Sequence, residues 1–308
     1  MNAQSRWLRL SDMLLLAVAA VWGSTYAVVK DALVFYPVLG VLALRFGLAF
    51  LLLSPILRTV RGVSGRSLWG ALGCGALLFC IFLAETFGVM FTEASTAAFL
   101  ISLCIVFTPW VEWAWLGRRP VRKEWLAALL ALLGAWLLSG AGLSLQRGDA
   151  LILLAAVLRA FHGCLIKQVM RQDDLRPEML TAVQSGAVAA GSALAALALG
   201  QWSTDLPAHG AFWAGMGYLA VVCTVFAFFV QGYAMRRSTP TRVSLLMGSE
   251  PAFGALIACL WLGERLTFLA WLGGALMVGV SIWAVLPGRS RRRAAQGGLA
   301  LVEPDGRA

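Results

Sequence analysis

Charged residues are scarce in this chain: only 13% of its 308 residues are Asp, Glu, Lys or Arg. An average soluble domain carries about 25% charged residues and needs a wettable exterior. Here 60% of the residues are hydrophobic and the mean hydropathy is +0.80. This composition excludes an ordinary soluble enzyme, a disordered chain and a collagen-like fibre, and it predicts a helical integral membrane protein.

Residues that build metal, disulfide or nucleotide sites are also few. The chain has two histidines and six cysteines, and its sequence contains neither a Cys-x-x-Cys pair nor a Walker A loop. All six cysteines fall inside apolar runs, which favours buried packing thiols over disulfides or zinc ligands. We therefore expect no cofactor, no metal site and no direct drive by ATP.

Apolar runs of membrane-spanning length follow one another along the chain, separated by charged and turn residues. We predict an all-α integral membrane protein with ten transmembrane helices, at residues 11–29, 37–57, 68–90, 94–116, 124–140, 149–169, 177–199, 208–231, 241–262 and 268–287. The first run could also be a signal peptide cleaved after Ala17-Val18-Ala19. Its apolar stretch continues to Val29, which favours an uncleaved helix.

Lys and Arg are distributed unevenly between the two sets of connections. If the N-terminus is cytoplasmic, 20 of the 25 lie in cytoplasmic segments, whereas Lys30, Arg147 and Arg265 lie on the opposite side. Cytoplasmic loops of membrane proteins carry such an excess. The sequence therefore predicts a plasma (inner) membrane protein with both termini in the cytoplasm. The net charge of +10 then reflects topology, and no nucleic-acid partner is expected.

The two halves of the chain resemble each other. Leu116-Gly117-Arg118-Arg119 recurs as Leu262-Gly263-Glu264-Arg265 at an offset of 146, and 14–30 matches 151–167 at an offset of 137. With five spans in each half, the second copy enters the membrane from the opposite side, as in the inverted repeats of secondary transporters. The predicted segments are a cytoplasmic N-tail (1–10), a first repeat (11–140), a second repeat (149–287) and a flexible basic C-tail (288–308).

Several motifs, taken together and in this order, resemble the EamA family of the drug/metabolite transporter superfamily. They are Trp22-Gly23-Ser24-Thr25-Tyr26 in the first span, Ala94-Ser95-Thr96-Ala97-Ala98-Phe99-Leu100 opening the fourth, and Glu250-Pro251 and Leu262-Gly263-Glu264-Arg265-Leu266 bracketing the ninth. The resemblance covers residues 11–287 as two repeats. It implies a ten-helix, 5+5 inverted-topology repeat around a central cavity, which moves amino acids, metabolites or toxic organic molecules, often outward.

The chain departs from the family pattern at three places. Arg118 stands where the first repeat usually has an acidic residue, and Ile105 replaces the proline that matches Pro251. In the second repeat the Trp-Gly signature is replaced by Arg159-Ala160-Phe161-His162-Gly163. The last change puts a charge in the expected cavity, so the substrate class does not carry over from relatives.

A few ionisable side chains remain inside the predicted spans, where each costs roughly 2.5–3.5 kcal/mol. They are Arg45, Glu85, Arg159 and Glu250, whereas Glu112 lies near a cytoplasmic span end where water is in reach. Two interpretations stay open. Permanent Arg–Glu pairs would fix helix packing, or at least one of these charges lines the cavity and meets substrate or a coupling proton.

Arg159 is the sharper cavity candidate because Phe161, His162 and Lys167 make its helix unusually polar. The predicted substrate-cavity residues are Trp22, Tyr26, Arg45, Arg159 and His162, and the predicted coupling or gating residues are Glu85, Glu250 and Pro251. Trp22, Tyr26 and Phe161 either stack on a substrate or pack in the core. Pro251 predicts either a packing kink or a gating hinge, since proline removes a helical hydrogen bond.

The leading prediction is a secondary transporter of small organic metabolites, surrounded by lipid, that exports by alternating access and has no enzymatic activity. It is either proton-coupled or a facilitated exchanger.

Small residues at a spacing of four permit close packing within the monomer or a homodimer seam; examples are Ala71 and Gly75, Ala187 and Gly191, and Ala275 and Gly279. The alternatives are a non-transporting sensor or scaffold and an intramembrane enzyme pairing Ser24 with His162.

Overall fold

The structure, a computed structural model, describes residues 3–91, 99–139, 147–172, 174–203, 205–262 and 266–286, and its regular elements there are helical. The helices are α1 (Ala3–Leu33), α2 (Val38–Leu53), α3 (Gly65–Met90), α4 (Cys104–Leu116), α5 (Arg122–Leu138), α6 (Asp149–Val169), α7 (Pro177–Ala198), α8 (Gly210–Ala220), α9 (Ala227–Arg237), α10 (Pro240–Met247), α11 (Glu250–Leu262) and α12 (Phe268–Val285). A 3-10 segment (Ser54–Gly62) follows α2, and a π-helical segment (Val221–Phe226) joins α8 to α9.

Eight helical stretches are long and apolar enough to cross a membrane. They are Leu10–Leu33, Val38–Thr59, Gly65–Gly88, Phe99–Leu116, Asp149–Val169, Pro177–Ala198, Gly210–Arg237 and Phe268–Val285. The two other predicted spans correspond to α5, with 17 residues, and to α10 and α11, with 8 and 13 residues. These helices are shorter than any of the eight. The chain is therefore a multi-pass membrane protein, with eight candidate spans in the residues that the structure describes.

The predicted kink at Pro251 is a break between two helices. α10 ends at Met247 and α11 begins at Glu250. Proline has no N–H to donate to the carbonyl four residues earlier, so one helix cannot run through this point without losing a hydrogen bond. In the first turn of a new helix that N–H needs no partner. The break therefore places Glu250 at a helix N-terminus.

Several of the main contacts between helices recur when the two halves of the chain are exchanged. α1 packs on α11 as α6 packs on α4, and α3 contacts α6 as α9 contacts α1. The pairs α2–α7, α5–α12 and α4–α10 join the halves directly. The main contacts of one half therefore have counterparts in the other.

Two glycines allow close approach between helices. A Cβ on Gly75 of α3 would lie 2.6 Å from Cβ of Ala187 on α7, and a Cβ on Gly23 of α1 would lie 2.6 Å from the backbone N of Gly254 on α11. Gly75 and Ala187 thus pack against each other within the chain, which is one of the two predicted uses of such small residues, the other being a homodimer seam. Gly279 on α12 has open space where its Cβ would be.

The expectation that the cysteines are packing thiols holds for only part of the set. Cys74, Cys164 and Cys223 are buried, and Cys104 and Cys259 are partly exposed. Cys80 is exposed on α3, because it lies on the face of that helix that points away from the core.

The connection between α6 and α7 is tied to the start of α3. Asp174 accepts hydrogen bonds from the Ser67 hydroxyl and the Ser64 backbone N, both at 2.7 Å. These bonds, that from the Ser67 side chain first, lower the pKa of Asp174 to about 2. The carboxylate therefore stays ionised and holds this turn to α3 at neutral pH.

Candidate substrate cavity

A cavity of about 700 Å³ lies between the two halves of the chain. Seven of the eight predicted site residues line it, namely Trp22, Arg45, Glu85, Arg159, His162, Glu250 and Pro251. Tyr26 is in α1, but its side chain lies outside the described part of the structure. Residues that are up to 229 positions apart in the sequence therefore share one cavity.

The cavity reaches helix ends at both faces of the protein. Its lining includes Leu33 at the end of α1, Val38 at the start of α2, Met90 at the end of α3 and Leu138 at the end of α5. At the opposite end, where α9 stops and α10 starts, the lining includes Met235 and Pro240.

Arg159 on α6 binds two carboxylates. Its Nη2 donates to both carboxylate oxygens of Glu85 on α3, at 2.9 and 3.2 Å, and its Nη1 donates to Oε2 of Glu250 on α11, at 3.3 Å. Both glutamates are buried. A buried charge is tolerated when it is paired and hydrogen-bonded. The Arg–Glu pairing that the sequence left open is therefore formed, with both acids on one arginine.

The Trp22-Gly23 motif completes this cluster. Trp22 and Arg159 occupy matching positions of the two halves, at the offset of 137, and the guanidinium carbon of Arg159 lies 5.8 Å from the Trp22 ring centroid. A Cβ on Gly23 would lie 2.8 Å from the Glu250 carbonyl oxygen, so only glycine lets α1 approach the first turn of α11 this closely. The motif thus brings an aromatic ring to the charged cluster.

Arg45 on α2 has different partners. Its residue is only 2% exposed, its Nε donates to Oγ1 of Thr224 at 2.9 Å, and its Nη2 donates to the Cys223 carbonyl at 3.3 Å. The guanidinium also lies 5.1 and 5.2 Å from the ring centroids of Phe46 and Phe82. The predicted ion pair with a glutamate is therefore replaced by neutral acceptors and aromatic faces.

The π-helical segment explains how those acceptors become available. A π-turn departs from the regular ladder of i to i−4 hydrogen bonds, and such turns occur frequently at functional sites. The Cys223 carbonyl accepts from Nε1 of Trp22 at 3.0 Å as well as from Arg45. Two side chains of the first half are thus held by one carbonyl of the second.

His162 and its neighbours separate into two environments. His162 is 3% exposed, and its Nε2 lies 3.1 Å from Nε2 of Gln184 on α7. Phe161 is 41% exposed, packs on Trp115 and is not among the residues that line the cavity. Ser24 contacts the Tyr218 hydroxyl at 2.7 Å, so the Ser24–His162 pair of the enzyme alternative is not formed between these described residues.

Two glutamines of the cavity region are not part of the sequence prediction. Gln184 holds His162, and Gln231 on α9 is 8% exposed and lines the cavity. A neutral amide gives no charge signal within an apolar run. The one sequence signal for Gln231 is a polar residue at the end of the predicted eighth span, 208–231.

The end of the cavity near Pro240 is closed by polar contacts between the halves. Glu112 on α4 is 1% exposed and accepts hydrogen bonds from the backbone N of Thr241, at 3.0 Å, and from its hydroxyl. Arg118 donates to Glu112 at 3.2 Å and to Glu124 at 2.7 Å. Glu112 is therefore buried against α10, and the expectation that it reaches water is wrong. The cause is Thr241, a partner 129 residues away.

Two further contacts close the same end. Arg242 on α10 donates to Oδ2 of Asp12 on α1 at 2.7 Å and to the Val285 carbonyl at 3.1 Å. Lys123 at the start of α5 donates to the Leu286 carbonyl at 2.7 Å. Together with Glu112, these side chains connect α1, α4 and α5 of the first half to α10 and α12 of the second.

Parts of the family motifs lie outside the described residues. They are residues 94–98 of the segment opening the fourth predicted span and residues 263–265 of the segment after the ninth. The predicted flexible tail at 288–308 also lies outside them. The motifs around Trp22 and Glu250 are described, and they meet at the cavity.

Known proteins resemble this chain along most of its length. An uncharacterised transporter of Archaeoglobus fulgidus is 27% identical over 87% of this chain and 83% of its own. The inner membrane transporter YedA of Escherichia coli is 26% identical over 88% of both chains. A protein of Salmonella typhimurium, named as a probable amino-acid metabolite efflux pump, is 28% identical over 94% of this chain and 98% of its own.

A solved crystal structure shares the fold, with a TM-score of 0.75 and 18% identity over 92% of this chain and 99% of that one. The model of the EamA-like transporter family matches the chain twice, at residues 9–140 and 146–286. The two matches cover the two halves that exchange their contacts and that line the cavity together. The chain therefore belongs to the EamA-like transporter family.

Proposed function

We infer that this protein is a secondary transporter that exports small organic metabolites, amino-acid-like or drug-like, by alternating access. The observation that carries the proposal is the cavity between the two halves. Its volume of about 700 Å³ lies within the range of about 300–1,000 Å³ typical of small-molecule sites. Its lining is mostly apolar with a small number of charged and amide groups, which is the usual composition of such sites.

Ten spans in a 5+5 arrangement account for the helices. The eight candidate spans are completed by α5 and by the pair α10–α11, each shortened or broken as helices beside transporter cavities often are. The exchange of contacts between the halves supports two equivalent five-helix units. With an odd number of spans in each, the second unit has the opposite orientation in the membrane.

The basic residues assign the two faces. Arg118, Lys123 and Arg242 are among the 20 basic residues of one side, and all three belong to the closed end of the cavity. Because basic loops are retained in the cytoplasm, the closed end is cytoplasmic and both termini lie there. In this conformation the cavity then faces outward, and opening toward the cytoplasm requires the Glu112, Arg242 and Lys123 contacts to separate.

The charged cluster supplies a site for coupling. Glu85 belongs to the first half, whereas Arg159 and Glu250 belong to the second, so the Arg159–Glu85 pair joins the halves. Movement of one half against the other would separate that pair. A carboxylate that leaves its arginine in a poorly solvated cavity is stabilised by binding a proton. Glu85 is thus the proposed proton carrier and Glu250 the anchor of Arg159.

Names of relatives favour amino-acid-like substrates and the outward direction. Besides the Salmonella typhimurium efflux pump, a protein of Streptantibioticus cattleyicolor named as a probable terminal-alkyne amino-acid exporter is 24% identical over 85% of this chain. The first of these names describes efflux of amino-acid metabolites and the second export of an unusual amino acid. Export of compounds of this kind fits an apolar cavity with paired charges.

A resistance screen followed by flux measurement tests the proposal. Cells that overexpress the protein are challenged with toxic amino-acid analogues and small organic toxins, and compounds that become tolerated are then measured in proteoliposomes. We expect uptake into proteoliposomes above that into empty liposomes, and the same uptake by Arg171→Gln, a variant at an exposed position. Tolerance to no compound and flux of none would contradict transport and favour the sensor or scaffold alternative.

A further inference from the structure

The carboxamide of Gln231 is the cavity group whose hydrogen bonding is least satisfied. Gln231 is 92% buried, since only 8% of it is exposed, and its Oε1 accepts no hydrogen bond from the described residues. Its Nε2 donates to the thioether of Met247 at 3.9 Å, and a thioether is a weak acceptor. The other buried side-chain oxygen in this condition, within the described ranges, is Oγ of Ser192.

An unsatisfied amide in this position needs a physical reason. A buried oxygen without a donor costs free energy, and the buried polar groups of folded proteins are almost always paired. Gln184, the neighbouring glutamine, follows this rule, because it is 2% exposed and contacts His162 at 3.1 Å. Gln231 departs from it at the surface of the cavity. A cavity ligand is the natural source of the missing donor.

The charged groups of the cavity are already paired, whereas the amide oxygen of Gln231 has no donor among the described residues. Arg159 is bound by Glu85 and Glu250, and Arg45 by Thr224 and the Cys223 carbonyl. Two arginines and two glutamates also sum to no formal charge when all four are ionised. A ligand whose own charges bind these arginines or glutamates has to break an existing pair, whereas a hydrogen-bond donor on any ligand can bind Gln231 without breaking one.

The side chains around Gln231 indicate the chemistry of the rest of the ligand. Met235, Val243 and Met247 line the cavity beside it, near the closed end. These side chains are apolar, and the thioethers of methionine adapt to different shapes. A group that binds here is therefore polar at one point and apolar around it.

We propose that Gln231 is a substrate-binding residue, whose amide oxygen accepts a hydrogen bond from a hydroxyl or amide N–H of the transported molecule. The apolar part of that molecule packs on Met235, Val243 and Met247. This inference rests on the proposed transport function and narrows its substrates to compounds that carry a neutral donor next to an apolar group. Sites built around such a bond discriminate strongly against analogues that lack the donor.

Thermal unfolding tests the unsatisfied state of the amide without any ligand. Gln231→Met keeps an unbranched side chain of similar length but removes the unpaired oxygen, so the unfolding midpoint in detergent should rise by about 2–4 °C. The matched variant, Gln184→Met, leaves His162 without its contact and should lower the midpoint by a similar amount. An equal fall in both variants would overturn the proposal, because Gln231 would then have a structural partner.

Flux of an isosteric pair tests the bond to substrate. L-threonine and L-valine differ by a hydroxyl in place of a methyl group, and both are supplied to proteoliposomes at equal concentration. The wild-type protein should favour threonine at least tenfold, and Gln231→Met should reduce that preference to about twofold or less. A preference that survives Gln231→Met, or wild-type flux without any preference, would overturn the inference. Absence of wild-type flux for both compounds, and for all compounds of the resistance screen, would instead contradict the proposed transport function.

Discussion

Arg45 and Arg159 solve the same physical problem in different ways. Each is an arginine inside a membrane span, where an unpaired charge is expensive. Arg159 is held by the carboxylates of Glu85 and Glu250, at 2.9 and 3.3 Å. Arg45 is held by a hydroxyl and a carbonyl of the π-helical segment, and its guanidinium lies 5.1 and 5.2 Å from the ring centroids of Phe46 and Phe82.

Because their partners differ, the hydrogen bonds of Arg159 can be broken by a proton or a ligand, whereas those of Arg45 are expected to stay formed. A carboxylate can bind a proton or exchange its arginine for a cationic group, so the pairs of Arg159 can be broken by a ligand or by acid. A backbone carbonyl and a threonine hydroxyl do not titrate in this way. Coupling is therefore expected at Arg159, and a constant link between α2 and the π-helical segment at Arg45.

Arg159→Gln is expected to have the largest effect. It leaves Glu85 and Glu250 buried without their cation, and removal of one partner from a buried ion pair typically costs about 3–5 kcal/mol. Transport should fall at least a hundredfold and the unfolding midpoint should drop. Adding Glu85→Gln and Glu250→Gln to this variant should restore the midpoint but not the flux. Normal flux in Arg159→Gln would remove Arg159 from the mechanism.

Neutralising one acid at a time ranks next, and it distinguishes the two partners of Arg159. Glu85→Gln should abolish accumulation driven by a pH gradient, because the proposed proton carrier is lost, while exchange of substrate across the membrane continues. Glu250→Gln should weaken both processes together, since Glu250 shares the half of Arg159 and anchors it. Both are measured in vesicles with and without an imposed pH gradient. Identical behaviour of the two variants would contradict the assignment of different roles.

The contrast between these arginines was only partly predictable from sequence. Hydropathy indicates the apolar runs and the four charged residues inside them, and the cost of burying charge makes pairing of arginine with glutamate one of two open interpretations. The sharing of Arg159 by both acids does not follow from the sequence. The partners of Arg45 do not follow from it either, since Thr224 and the Cys223 carbonyl lie in a π-helical segment whose geometry sets their positions. Such a turn depends on packing around it and has no distinctive residue pattern in Val221–Phe226.

The same limit applies at the closed end of the cavity and at Gln231. Glu112 looks like a residue at a span end with access to water, and its burial depends on Thr241, which belongs to the other half. Gln231 carries no charge, so the cost of placing a charge inside the membrane gives no reason to select it. Residues whose burial is costly in itself are thus predictable from sequence, whereas residues whose role depends on a distant contact are not.

Arg45→Met is expected to have a smaller effect than any change at Arg159. No opposite charge is left unpaired, and each lost acceptor keeps another contact: Thr224 still donates to the Leu219 carbonyl, and the Cys223 carbonyl still accepts from Trp22. Flux should fall severalfold at most, and its dependence on pH should match that of the wild-type protein. A changed pH profile would show that Arg45 takes part in coupling.

Trp22→Phe is expected to have the smallest effect, and it touches both arginines at once. The substitution keeps an aromatic ring near Arg159 but removes the indole N–H that donates to the Cys223 carbonyl. Because Arg45 still donates to that carbonyl, the loss is one net hydrogen bond, about 1 kcal/mol, seen as a fall of a few degrees in the unfolding midpoint. Flux should stay within twofold of wild type.

The control for Trp22→Phe is Trp213→Phe, which removes an indole bond to the Pro207 carbonyl on the exposed surface and should shift the midpoint less. If Trp22→Phe instead abolishes flux while Arg45→Met does not, the indole N–H acts on substrate and not on the π-helical segment. In that case only Arg45 would serve to connect the first half to the π-helical segment. If both variants abolish flux, the shared carbonyl of Cys223 is itself part of the transport machinery, and the separation between a responding and a holding arginine fails.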